Sequence, residues 1–100
     1  MSNAMITPAA RRDLSAIWAY SERTWSGEQA DKYIDDIGRS IDAMTVGAAV
    51  LTRWPEVRED IVSAKSGRHL VFAAVGDGLT VVAVLHEATD YLTRLEGRIG

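Results

Sequence analysis

Apolar positions recur along the first half of the chain at helical spacing and along the second half as strand-like runs. Leu14, Ile17, Trp18, Ser21 and Trp25 fall on one helical stripe, with Arg11, Arg12, Glu22 and Arg23 mostly off it. Thr7 offers a hydroxyl cap ahead of this stripe. Pro8 takes the first helical position, where its missing N–H costs nothing. The spacing predicts a helix over 8–23. Ser26 and Gln29 stand at capping-box spacing. The clearest stripe of the sequence follows them: Ala30, Tyr33, Ile34, Ile37, Ile41, Met44 and Ala48. Glu28, Asp31, Asp35, Asp36, Arg39 and Asp42 occupy the other positions, as a solvated face should. This second helix is expected from Gly27 to about Ala48, weakened by Gly47 and barred from continuing by Pro55. The short Thr24–Ser26 link makes the two helices an antiparallel hairpin.

Beyond Pro55 the period changes. Val57 to Ser66 reads as a weakly patterned strand, and Arg68 to Val75 as a clear one. Gly76-Asp77-Gly78 reads as a hairpin turn, because glycine reaches positive φ cheaply. Leu79 to His86 is β-branched and nearly all apolar, so it is expected to be the central strand. Glu87 to Gly100 is expected to hold a short terminal helix with Leu92 and Leu95 inward. Met5-Ile6-Thr7 reads as a short edge strand. The order is β-α-α-β-β-β, an α+β architecture with a helix hairpin packed on one face of a small antiparallel sheet. Met1-Ser2-Asn3-Ala4 reads as an expression scar, which leaves 5–100 as a single domain.

Composition narrows the function classes. A chain of 100 residues supports one core. No apolar run approaches the roughly 20 residues that span a bilayer, so no membrane role is expected. Cysteine is absent, which excludes a disulfide scaffold and thiolate metal sites and fits a cytoplasmic location. Two histidines with no clear third ligand make a poor metal site, so no metal or cofactor is expected. The formal net charge of −3 carries no basic arm and argues against direct, sequence-specific nucleic-acid binding.

Four stretches in order carry a family resemblance. They are Thr7-Pro8-Ala9-Ala10-Arg11-Arg12-Asp13-Leu14 with Ile17; Tyr20, Trp25, Gln29-Ala30 and Tyr33; Gly67-Arg68-His69-Leu70-Val71-Phe72; and Val82-Ala83-Val84-Leu85-His86 with Asp90. Together they resemble the RelE/ParE superfamily of toxins from bacterial type II toxin–antitoxin modules. The chain departs from the family pattern at three places. Gly27 sits one position late. Ala73-Ala74 replaces the family's Tyr-Arg. Met44 to Pro55 is more apolar than usual.

The resemblance implies one of two activities. RelE-like members cut messenger RNA on the ribosome; ParE-like members poison DNA gyrase. RNA cleavage needs the 2′-hydroxyl activated, the phosphorane charge stabilised and the leaving oxygen protonated. Candidates for that work are Lys65, Arg68, His69, His86, Tyr91 and Arg94, with Lys65, Arg68, His86 and Tyr91 foremost. The plainer reading makes them surface charge plus strand-end histidines bonded to backbone. That reading is favoured, because few groups converge and the domain is acidic. The ParE-like branch is therefore expected, with no catalytic residues of its own. A cognate ParD-like antitoxin and DNA gyrase are the partners it implies. Arg11, Arg12, Val50, Leu51 and Trp54 are the candidates for antitoxin or target contact. Trp54 lies outside any stripe and is either part of a partner groove or a loop anchor. Trp18 and Trp25 are expected to pack the helix hairpin. A third reading is a member that keeps antitoxin pairing without toxicity.

Overall fold

A computed structural model of the chain describes residues 4–99. The elements run β1 (Ala4–Ile6), α1 (Pro8–Thr24), α2 (Gly27–Thr45), β2 (Thr52–Arg53), β3 (Ile61–Ser66), β4 (His69–Val75), β5 (Leu79–His86) and α3 (Tyr91–Ile99). The strands form one sheet in the order β1-β5-β4-β3-β2. Both helix starts follow from their caps. Thr7 Oγ1 accepts the Ala10 N–H at 3.2 Å, and Ser26 Oγ accepts the Gln29 N–H at 3.1 Å. The chain is α+β, with the helix hairpin laid on one sheet face as its patterning requires.

Several details depart from the sequence reading. The sheet is mixed: β1 pairs with β5 in parallel, while the other neighbours are antiparallel. A strand of three residues carries no pattern that announces its partner or direction. Ala4, set aside as part of the scar, pairs with Leu79. Met1 to Asn3 lie outside the described residues. Helix α2 ends at Thr45, earlier than expected, because Gly47 adopts φ 74° and turns the chain away. The stretch before Ile61 is turn rather than strand, and the two-residue strand β2 was not foreseen. In α3, Leu95 is fully buried but Leu92 is 47% exposed, so only one of the two leucines points inward.

Two cores lie on opposite faces of the sheet. Beneath the helix hairpin, Ile17, Ile37, Ile41 and Met44 meet Val62, Val71, Val81 and Val84. On the other face, Phe72, Ile61, Leu85 and Leu95 pack with Trp54 and Tyr91. An irregularity sets which β5 residue faces which core. Phe72 pairs with Ala83 but Ala73 pairs with Val81, which leaves Val82 as the extra residue of a β-bulge. Val82 and Ala83 therefore share the α3 side, and the alternation is re-phased beyond them. Val84 returns to the hairpin side, and His86 comes level with His69 on the neighbouring strand.

The bulge end of β5 extends past β1, whose register stops at Val81. Side chains close that edge. Asp13 Oδ2, from α1, accepts the Val84 N–H at 2.9 Å. Arg98, from α3, grips both Asp13 oxygens at 2.9 Å and donates to the Val82 carbonyl at 3.0 Å. One two-pronged ion pair thus joins the elements on both faces and satisfies a strand edge.

Candidate functional site

The sequence-derived cationic candidates converge where β3, β4 and β5 end near the Ser66–His69 turn. Glu87 is the centre of the group on the α3 side. Its carboxylate lies 3.3 Å from Lys65 Nζ and 3.3 Å from Arg68 Nη1. The hydrogen bond from Lys65, reinforced by the charges of Lys65 and Arg68, holds the Glu87 carboxyl below its ordinary range. Tyr91 donates its hydroxyl to the Glu87 carbonyl at 2.5 Å. Burial first, then the Glu87 charge, pushes the Tyr91 phenol above its usual value, against the pull of Lys65. The Tyr91 ring completes an aromatic cluster, 5.3 Å from Phe72 and 5.6 Å from Trp54.

The histidines occupy the helix-hairpin side of the same end. Tyr33 reaches over from α2, and its hydroxyl lies 2.6 Å from His69 Nδ1 and 3.4 Å from the Ser66 carbonyl. The hydroxyl oxygen accepts the Arg68 N–H at 3.0 Å. A single hydroxyl proton serves only one acceptor: it goes to Nδ1 when neutral His69 carries its own proton on Nε2, and to the Ser66 carbonyl when Nδ1 is the protonated nitrogen. Gly67, between these partners, has φ +59°, and an added Cβ would stand 2.7 Å from Tyr33 Cε1. Backbone conformation and the Tyr33 ring both demand glycine there. His86 stands beside His69, with ring centroids 5.3 Å apart and planes at 89°. Its Nδ1 accepts the Ala88 N–H at 3.1 Å, so neutral His86 carries its proton on Nε2. Burial, then the neighbouring His86, lowers the His69 pKa, while Glu87 opposes the shift.

Chemically this end is closed on itself. Lys65 and Arg68 share one carboxylate, His69 is held by a tyrosine, and His86 is held by backbone. Lys65, Arg68, His86 and Tyr91 are thus near neighbours, whereas Arg94 sits exposed on α3 outside the group. Among the described residues no group of three or more histidine and acidic side chains is arranged to hold a metal ion. No helix among them is long and apolar enough to cross a membrane.

The contact candidates are scattered. Arg11 and Arg12 are exposed on the first turns of α1. Val50 is 92% and Leu51 39% exposed. Trp54 is the loop anchor of its two readings: its Nε1 donates to Ser63 Oγ at 2.9 Å, and its ring packs 5.4 Å from Phe72. The helix-hairpin tryptophans also differ from expectation. Trp18 bridges the hairpin through its rim, donating Nε1–H to Asp31 at 2.8 Å, and Trp25 stands 65% exposed where α1 ends. Tyr33, Glu87, Asp13 and Arg98 went unrecognised as organising residues. Tyr33 had the spacing of a core residue, and Asp13 is separated from Arg98 by nearly the whole chain.

Residues 4–91 match the family model described as ParE toxin of type II toxin-antitoxin system, parDE. The chain belongs to the ParE toxin family of type II toxin–antitoxin systems. Toxin ParE of Escherichia coli is 31% identical over 101 residues, covering 99% of this chain and 98% of the relative. Toxin ParE1 of Caulobacter vibrioides is 32% identical over 81 residues, covering 81% of this chain and 84% of the relative. Among solved structures, a chromosomal ParDE toxin–antitoxin system from P. aeruginosa superposes with a TM-score of 0.69. At 19% identity, covering 86% of this chain and 96% of that one, it shows a shared fold. In this ParE-family chain the Ala73-Ala74 departure lies mid-strand in β4. Ala73 is buried under the hairpin and Ala74 packs against the second core, so neither offers a polar group to a ligand.

Proposed function

We propose that this ParE-family toxin acts by binding DNA gyrase, trapping its cleaved-DNA complex and blocking replication, and that a cognate ParD-like antitoxin neutralises it. One observation carries the preference for gyrase over RNA cleavage. The two cations nearest the histidine pair, Lys65 and Arg68, are both drawn to one carboxylate, Glu87, which offsets half of their combined charge. A phosphorane would have to compete with that carboxylate for its charge stabilisation. The net charge of −3 also disfavours docking on ribosomal RNA.

The antitoxin reading rests on unfilled structure. Strand β2 pairs only with Ser63 and Val62, so Ala64 to Ser66 have no strand neighbour on that side among the described residues. A groove of about 500 Å³ runs beside this margin, lined by Ser40, Ala43, Ala49, Val50 and Ala64 among others. An antitoxin segment would add a strand to this margin and lay an apolar helix face against the hairpin. Because such a partner binds only the folded toxin, it raises the melting temperature by mass action. Equal melting temperatures with and without antitoxin would count against the pairing.

The deciding test sets purified toxin against gyrase supercoiling and, separately, against a translated messenger. Inhibited supercoiling with accumulation of cleaved DNA is the expected result. Intact supercoiling with primer-extension stops on the messenger would establish the RelE-like ribosome-dependent nuclease instead. A chain that binds antitoxin but arrests no growth on induction would be the non-toxic member.

A further inference from the structure

The end of the sheet opposite the histidine pair carries an unusual amount of exposed aliphatic surface. Met5 is 71% exposed, Val75 46% and Leu51 39%. These residues are spatially linked. Leu51 and Val75 line one groove and Val75 and Met5 line the next, the two grooves meeting along Val75 to Leu79. Contiguous apolar surface of this kind on a soluble domain marks a contact site.

Its electrostatics are one-sided. Helix α2 ends here, and its last turn holds no basic residue to offset the negative end of the helix dipole. That turn contains Asp42, a charge placed where the dipole makes it locally unfavourable. Asp77 stands exposed at the tip of the β4–β5 hairpin, and neither carboxylate makes an ion pair among the described residues. The nearby cations are turned elsewhere. Arg58 is held by Asp60, and Arg53 leans on the Glu59 carbonyl. Anionic lipid and nucleic acid are therefore repelled, and a polypeptide with apolar side chains flanked by Lys or Arg is attracted.

We infer that this aliphatic, electronegative pole is the surface that seats a basic amphipathic segment of the toxin's target enzyme. The inference rests on the gyrase reading above and adds to it the face of the toxin that is used. Antitoxin pairing is assigned to the β3 margin and the helix hairpin, so the two partners engage separate surfaces.

Two double variants test it with full-length protein. Met5→Ser with Val75→Ser removes apolar contact; Asp42→Asn with Asp77→Asn removes charge. The second also relieves an unfavourable acid at a helix C-terminus, so its melting temperature should hold or rise. A loss of gyrase poisoning then reports contact rather than unfolding. Each pair is expected to raise the concentration needed to inhibit purified gyrase by at least about tenfold, while wild-type monomeric mass and binding to purified cognate antitoxin are kept. Undiminished poisoning by both variants overturns the inference. So does lost antitoxin binding with full poisoning, which would make the pole an antitoxin seat. A wild-type dimer that the variants dissolve would show a second copy as the occupant, and also overturns it. A wild-type protein that leaves gyrase untouched defeats the proposed function itself, and that arm is read before any variant is made.

Discussion

At the Tyr33 end of the sheet, polar atoms find their partners inside the chain; at the Met5 and Val75 end, aliphatic side chains stand in solvent. Around Tyr33 the hydroxyl meets His69 at 2.6 Å and the Arg68 N–H at 3.0 Å, and Glu87 engages two cations. Around Val75 the grooves are open to solvent, with Val75, Leu51 and Met5 exposed along them. The difference separates two uses of the same sequence. Side chains that satisfy one another hold the fold in register. Side chains that remain unsatisfied, yet cost little stability because they were never buried, are available to a partner. On that view, substitutions at the first end should unfold the protein without specifically removing function, and substitutions at the second should do the reverse.

The largest effect is expected where the edge of β5 is closed. Asp13→Ala leaves Arg98 and the Val84 N–H without their acceptor, and both sites are mostly shielded, with side-chain exposures of 21% for Arg98 and 16% for Asp13. Chemical denaturation should show a loss of about 3 kcal/mol. A loss under about 1 kcal/mol would mean that water replaces the carboxylate freely. Next comes Tyr33→Phe, which strands the Arg68 N–H and His69 Nδ1 while keeping the ring. A loss of about 1–2 kcal/mol is expected, with faster amide exchange at Arg68. Unchanged exchange there would sever the turn from the helix hairpin.

A smaller effect follows from His69. Its folded pKa lies below the unfolded value of 6.5, so the unfolded chain takes up protons first as pH falls. The stability that neutral His69 contributes is fully present above pH 6.5 and declines as pH falls below it. Melting temperatures recorded between neutral and mildly acidic pH should therefore slope downward on acidification. His69→Gln should flatten that slope; a slope identical to wild type would place its origin in other groups. The smallest change is expected at Val50, 92% exposed, where Val50→Ser should alter stability by no more than about 0.5 kcal/mol. A larger loss would show that the groove beside β3 also supports the fold.

The legible parts of the sequence were those with long, single-period signals. Leu79–His86 announced itself as an interior strand through a run of β-branched residues, and the two helices announced themselves through caps and stripes. The parallel docking of β1 was hidden because three residues carry too little pattern. The bulge at Val82 was hidden because an all-apolar strand buried on both faces has no alternation to break. That one extra residue decides whether His86 joins His69 or the α3 side, so the histidine pair was not predictable from spacing alone. Lys65, Arg68, His86 and Tyr91 lie near one another at the end of the sheet, and Glu87, the carboxylate that Lys65 and Arg68 share, gave no sign in the sequence beside the adjacent histidine. Trp54 was ambiguous for a physical reason: an indole off any stripe is anchored only by partners distant in sequence, here Ser63, Phe72 and Tyr91.

The clasp between Asp13 and Arg98 also imposes an order on manufacture. Asp13 is made early, but the guanidinium that completes it belongs to Arg98 in the last helix, 85 residues later. A chain ended before Arg98 would keep the Asp13 bond to Val84 but leave that carboxylate and the Val82 carbonyl without their donor, and the first helix without its tether to the last.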